Sequence, residues 1–111
     1  LSYNQFYELP LNLVSLTSLK YLDLSSNQLT GEIPLLNISS ISFANNSLNG
    51  CILFDDGVEF IDVSHNNFTC IEEWTPGLNY IDASYNMISR IPAPLYAMNS
   101  PVNYYFFDFN Q

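Results

Sequence analysis

Positive charge is what this chain has least of: Lys20 and Arg90 stand against eleven aspartates and glutamates, a net charge of −9. A polyanion such as nucleic acid is disfavoured as a partner, and so is an anionic membrane surface. A basic partner or a neutral polysaccharide suits that field better. Histidine occurs once, as His65, and cysteine twice, as Cys51 and Cys70. No run of about 20 apolar residues occurs, so no segment of this chain is expected to span a membrane as a helix. None of the hallmarks of a secretory signal opens the sequence either.

What is present is a period. Residues 19–34 read LKYLDLSSNQLTGEIP, with leucines at 19, 22, 24 and 29 and Asn27 between the last two. Leu22 and Leu24 alternate as a strand does, not at the three- and four-residue spacing of a helix. The same string returns as Ile38, Ile41, Phe43, Asn46, Leu48, then as Val58, Ile61, Val63, Asn66, Phe68, and again as Leu78, Ile81, Ala83, Asn86, Ile88. Partial copies stand at the two ends, around Asn4 and Asn110. The asparagines at 4, 27, 46, 66, 86 and 110 are thus 23, 19, 20, 20 and 24 residues apart. Each is placed to end a strand, where its short amide can bond the backbone of neighbouring turns.

A unit of this length cannot bury its apolar side alone, so the copies must stack and share one continuous core. The pattern L-x-x-L-x-L-x-x-N-x-L is that of a leucine-rich repeat. Residues 1–111 then form a single solenoid domain of about four full repeats and a partial one at each end. The fold is α/β class and strand-dominated, with a curved parallel sheet on the concave face and turns or 3₁₀ segments on the convex face. Neither end carries a cap of its own, which leaves two expectations: a window on a longer array, or end-to-end stacking of copies.

The run Leu29-Thr30-Gly31-Glu32-Ile33-Pro34 resembles the L-T-G-x-I-P signature of plant-type extracellular leucine-rich repeats. These occur in receptor-like kinases, receptor-like proteins and polygalacturonase-inhibiting proteins. Asn49-Gly50-Cys51-Ile52 keeps the Gly and Ile of the signature, and Ile91-Pro92 keeps its ending. The resemblance implies an extracellular recognition module.

Cys51 and Cys70 each precede the isoleucine that closes a repeat, Ile52 and Ile71. Equivalent positions on adjacent coils lie about 5 Å apart, within reach of a disulfide. Such a bridge would mark an oxidising compartment; the alternative is two buried thiols. Three sequons, at Asn37, Asn45 and Asn67, fit N-x-[ST] and agree with an extracellular or cell-surface protein.

On the concave face, alternation turns outward the residues between the core positions. One column reads Tyr21, Ser40, Phe60, Tyr80, Tyr104, and the next reads Asp23, Ser42, Asp62, Asp82, Phe106. A third runs through Ser25, Ala44, Ser64, Ser84 and Asp108. Exposed aromatics suit sugar rings or a peptide, and the acids suit a basic ligand. Tyr21, Asp23, Phe60, Asp62, Tyr80, Asp82, Tyr104 and Phe106 are therefore the candidate ligand-binding residues. Aromatics are also good strand formers that pair across strands for their own sake.

Catalysis finds no support. Asp62, Ser64 and His65 share one open strand without a pocket or an oxyanion site. Stacked Asp23, Asp62 and Asp82 fall short of the six or more converging oxygens a hard cation takes, so no metal or cofactor is expected. Two functions remain. One is recognition of a protein, peptide or glycan through the concave face. The other is a structural subunit of a cell-surface or extracellular filament, self-associating through its uncapped ends.

Overall fold

The computed structural model describes residues 2–9, 15, 18–53, 55–72 and 77–91, together with the backbone of 104–106. Short strands alternate between two walls of a coil. They are β1 (Tyr21–Asp23), β2 (Thr30–Gly31), β3 (Ser40–Ser42), β4 (Ser47–Ile52), β5 (Phe60–Asp62), β6 (Asn67–Ile71), β7 (Tyr80–Asp82) and β8 (Tyr104–Phe106). A five-stranded sheet runs β1-β3-β5-β7-β8 and a three-stranded sheet runs β2-β4-β6. Every pairing is parallel. This is a strand-dominated leucine-rich-repeat solenoid, and the five-stranded sheet is its concave face.

The second sheet adds to what the repeat pattern predicts, because turns or 3₁₀ segments were expected along the return path of each coil. Its strands β4 and β6 begin directly after Asn46 and Asn66, and β2 begins three residues after Asn27. There Leu29, Leu48 and Phe68 turn inward and are completely buried. Between them the core forms rows along the stack: Leu22, Ile41, Ile61 and Ile81 in one, Leu24, Phe43, Val63 and Ala83 in the next, and Ile38, Val58 and Leu78 in a third. The first two rows cross the four coils that carry Asn27, Asn46, Asn66 and Asn86 and the third crosses three of them, so apolar burial couples each of these coils to its neighbours.

Polar atoms inside this stack are satisfied by the asparagines. The Asn66 amide is buried; its Nδ2 donates to Val63 O and Ser64 O of its own coil and to Phe43 O of the preceding one. Its Oδ1 accepts the Leu48 N–H at 3.0 Å. Asn46 repeats the set with Phe43 O, Ala44 O, Leu24 O and the Leu29 N–H. Asn86 does so with Ala83 O, Ser84 O, Val63 O and the Phe68 N–H. Asn27 bonds Leu24 O, Ser25 O and the Phe6 N–H, and Asn4 donates to Ser2 O. Asn110 lies outside the described residues.

Cys51 and Cys70 are joined by a disulfide between β4 and β6, with their Cα atoms 4.6 Å apart. A register shift places them opposite one another. Gly50 pairs with Phe68, whereas Cys51 pairs with Cys70, so Thr69 is the extra residue of a bulge. Gly50 sits at φ +84°, and a side chain there would collide with that of Glu32. The Gly therefore lets the backbone turn at the step where the register slips.

Two stability predictions follow from these contacts. Asn66→Ala removes four contacts from a buried position and is expected to cost about 3 kcal/mol, against about 1 kcal/mol for Asn27→Ala at its half-exposed site. Replacing both cysteines by serine is expected to cost about 3 kcal/mol, since the bridge closes a loop of roughly twenty residues. Urea unfolding of the three variants checks both the sizes and the order.

Candidate functional site

The candidate site is the outer face of the five-stranded sheet. Its register lines up Tyr21, Ser40, Phe60, Tyr80 and Tyr104 as direct strand neighbours. Asp23, Ser42, Asp62, Asp82 and Phe106 are aligned in the same way. For Tyr104 and Phe106 the description ends at the backbone. Among the others, Tyr21 is 63% exposed and Phe60 37%, while Tyr80 is half-buried. The Phe60 and Tyr80 rings stack with centroids 4.4 Å apart and planes 8° from parallel. Parallel strands fix this: identical positions on adjacent coils stand one strand spacing apart, about 4.8 Å, close to the spacing of a ring stack. Burial, followed by the nearby carboxylates of Asp82 and Asp62, holds the Tyr80 phenol above its ordinary pKa.

The acids are tied into the turn that follows each strand. Asp23 Oδ1 accepts the Ser25 N–H at 2.9 Å and the Ser25 hydroxyl at 2.6 Å. Asp62 holds Ser64 in the same way, and Asp82 holds Ser84. The Ser25 hydroxyl, helped by its N–H and opposed by partial burial, lowers the Asp23 pKa. These bonds alter one expectation. Ser64 and Ser84 do not join the outward face; they are buried, as is Ala44. The strand ends two residues earlier, so alternation stops there and the turn brings this position inward whether serine or Ala44 fills it; the carboxylate satisfies the polar groups of the serines.

The sequon asparagines are spread around the coil. Asn37, Asn45 and Asn67 are all exposed. Asn45 sits at the bend just before ladder residue Asn46, and Asn67 opens β6 opposite Asn49. The Asn37 amide packs over Gly57, where any side chain would collide with it.

Two features escape a reading of the string. Tyr3, Ser26, Asn45, His65 and Tyr85, the residues immediately before five ladder asparagines, all have φ between 55° and 58°. These side chains share no chemistry, so only their place beside the ladder marks them. His65 and Tyr85 stack there with centroids 4.2 Å apart. The second feature is Arg90, whose Nη2 lies 3.4 Å from Cys70 Sγ, 3.9 Å from Cys51 Sγ and 3.3 Å from Glu72 Oε1. Both charged partners are largely exposed, so the ion pair adds little stability. Glu72 and the two cysteines come close enough together to invite a metal, but the sulfurs are bonded to each other and cannot act as thiolate ligands.

A family model, Leucine Rich Repeat, matches residues 18–36. Over 86 residues, 71% of the chain, the sequence is 41% identical to a probable leucine-rich-repeat receptor-like serine/threonine-protein kinase of Arabidopsis thaliana. That match spans 8% of the kinase's length.

The lowered Asp23 pKa sets a sign for the pH dependence. A carboxyl more acidic in the folded chain contributes stability that is full above its ordinary pKa and is lost as pH falls below that value through the lowered folded one. Asp23→Asn is therefore expected to melt below the native chain at neutral pH, and the gap is expected to narrow at a pH below the ordinary carboxylate range. Thermal melts at the two pH values read the difference.

Proposed function

Because the chain is a leucine-rich-repeat protein, a fold used for interaction and not for catalysis, we propose that it is an extracellular recognition module that binds a protein, peptide or glycan through its concave sheet. The observation that carries this reading is the aligned column of Tyr21, Phe60 and Tyr80, the first two exposed to solvent and the third half-buried, beside a column of carboxylates. Phe60 and Tyr80 are held at one strand spacing by the paired backbones of β5 and β7, and Tyr21 stands two spacings from Phe60. They offer contact area with little further side-chain ordering on binding. The acids and the net charge of −9 favour a basic partner and disfavour nucleic acid.

An extracellular location draws support from the disulfide, which persists in oxidising compartments, and from the likeness to receptor-like kinase repeats. Asn37, Asn45 and Asn67 are the glycan attachment sites this reading assigns. Among the described residues no helix is long and apolar enough to cross a membrane.

Panning a displayed random-peptide library and a neutral glycan array tests the recognition reading, with Phe60→Ala/Tyr80→Ala as the comparison. Ligands enriched on the native chain are expected to bind the double variant about tenfold or more weakly. Equal binding would move the site off this face. Secretion from a eukaryotic host, followed by enzymatic removal of N-glycans, is expected to lower the mass; an unchanged mass would remove the assignment of the three sequons.

A further inference from the structure

The aromatic column has one gap. Of its five positions only Ser40 lacks a ring, and it falls between Tyr21 and Phe60. Beside it Ser42 falls between Asp23 and Asp62. Both interruptions lie on β3, so they form one notch. Its floor is the half-buried pair Ser40 and Ser42, and its walls are Tyr21 with Asp23 on one side and Phe60 with Asp62 on the other.

The width of the notch follows from the sheet. Rings on adjacent coils, Phe60 and Tyr80, stand 4.4 Å apart and stack directly. Tyr21 and Phe60 are separated by two such steps, roughly 9 Å. A planar group in van der Waals contact with a ring on each side needs about 7–8 Å between them. Thus a single flat group replaces the missing ring. The carboxylates add charge to the same slot. Asp23 and Asp62 each use Oδ1 to hold the following serine, and no hydrogen bond from a described residue occupies their Oδ2 atoms. Asp23 is held ionised by Ser25.

We infer that this notch receives an arginine side chain from a basic segment of a protein partner, stacked between Tyr21 and Phe60 and hydrogen-bonded by Asp23 and Asp62. The inference deepens the recognition reading of the concave face and rests on it. Guanidinium is planar, stacks on aromatic faces, is weakly hydrated and carries N–H groups along its edges that meet carboxylates. Lysine brings the charge without the plane. A neutral sugar brings a flat face without the charge. The net charge of −9 draws a basic segment in and adds nothing for a neutral one.

Saturation-transfer NMR on the full chain tests this with N-acetyl-Gly-Arg-Gly-amide as the probe. Matched peptides carry lysine or the uncharged isostere citrulline in place of arginine, and cellotriose serves as the neutral sugar. The arginine peptide is expected to bind with a dissociation constant on the order of millimolar, and the lysine and citrulline peptides about tenfold more weakly. Ser40→Tyr puts a ring where other coils already carry one. It should melt within a few degrees of the native chain and abolish arginine binding. Asp62→Asn should weaken binding about fivefold, while Glu32→Gln, which removes the same charge just beyond β2, should leave it unchanged. Equal binding of citrulline or cellotriose, or undiminished binding by a folded Ser40→Tyr variant, would overturn the inference. Library ligands that depend on Phe60 and Tyr80 would in that case still uphold the concave face as a recognition surface. Loss of both signals would sink the two together.

Discussion

The structure depends on the asparagine amide at the end of each concave strand. A strand of three residues must stop and turn, and turning strips backbone carbonyls and N–H groups of ladder partners inside a packed core. One amide has two donors and an acceptor with two lone pairs, enough to serve the bend in its own coil and a group on the coil before it. Asn46, Asn66 and Asn86 each do both. Alignment of one coil over the next is therefore set by hydrogen bonds as well as by apolar burial. Apolar contact alone would tolerate sliding, and directional bonds do not. The bend has a cost, since a left-handed conformation costs a non-glycine residue roughly 1–2 kcal/mol. Tyr3, Ser26, Asn45, His65 and Tyr85 all adopt it, and the ladder that follows each of them holds it in place.

Much of this was legible because the period constrains it. Once the asparagines are aligned, Tyr21, Phe60 and Tyr80 fall in one column whatever the length of the connections, because each stands six residues before its own asparagine. The second sheet was not legible. Its strands SLNGCI and NFTCI differ in length, and a bulge at Thr69 breaks their alternation. The burial of Ser64 and Ser84 was missed for another reason. Alternation holds only within the strand, and the turn beyond it brings the position inward, where Ser64 and Ser84 bond the aspartate and Ala44 has no need to. Sequence patterns report faces well inside an element and poorly just beyond its end.

The recurring Asp-x-Ser has two uses that do not compete. Its Oδ1 orders the turn from inside the coil, and the carboxylate still contributes a full negative charge to the outer face. Asp62 and Asp82 are direct neighbours on adjacent strands, a like-charge pairing that destabilises a sheet. Exposure to water screens that repulsion, and the serine bonds offset part of it. Ser42, set between Asp23 and Asp62, keeps the row from becoming an unbroken run of charge at strand spacing.

Variation along these columns therefore has a different consequence from variation in the rows behind them. Changing Phe43 or Val63 alters a core that every coil shares. Exchanging Tyr, Ser or Phe at position 21, 40, 60 or 80 alters only what the face offers, because each outward side chain stands on a strand fixed by buried neighbours at the next position. Between Tyr21 and Phe60, one serine in place of a ring turns a continuous aromatic ridge into a ridge with a slot. The backbone spacing that would stack the rings instead sets the width of the gap. Selectivity on such a face comes from the order of large and small residues along the stack. A partner is read by where its side chains meet ring, gap and carboxylate, and the coil behind need not change for that order to be rewritten.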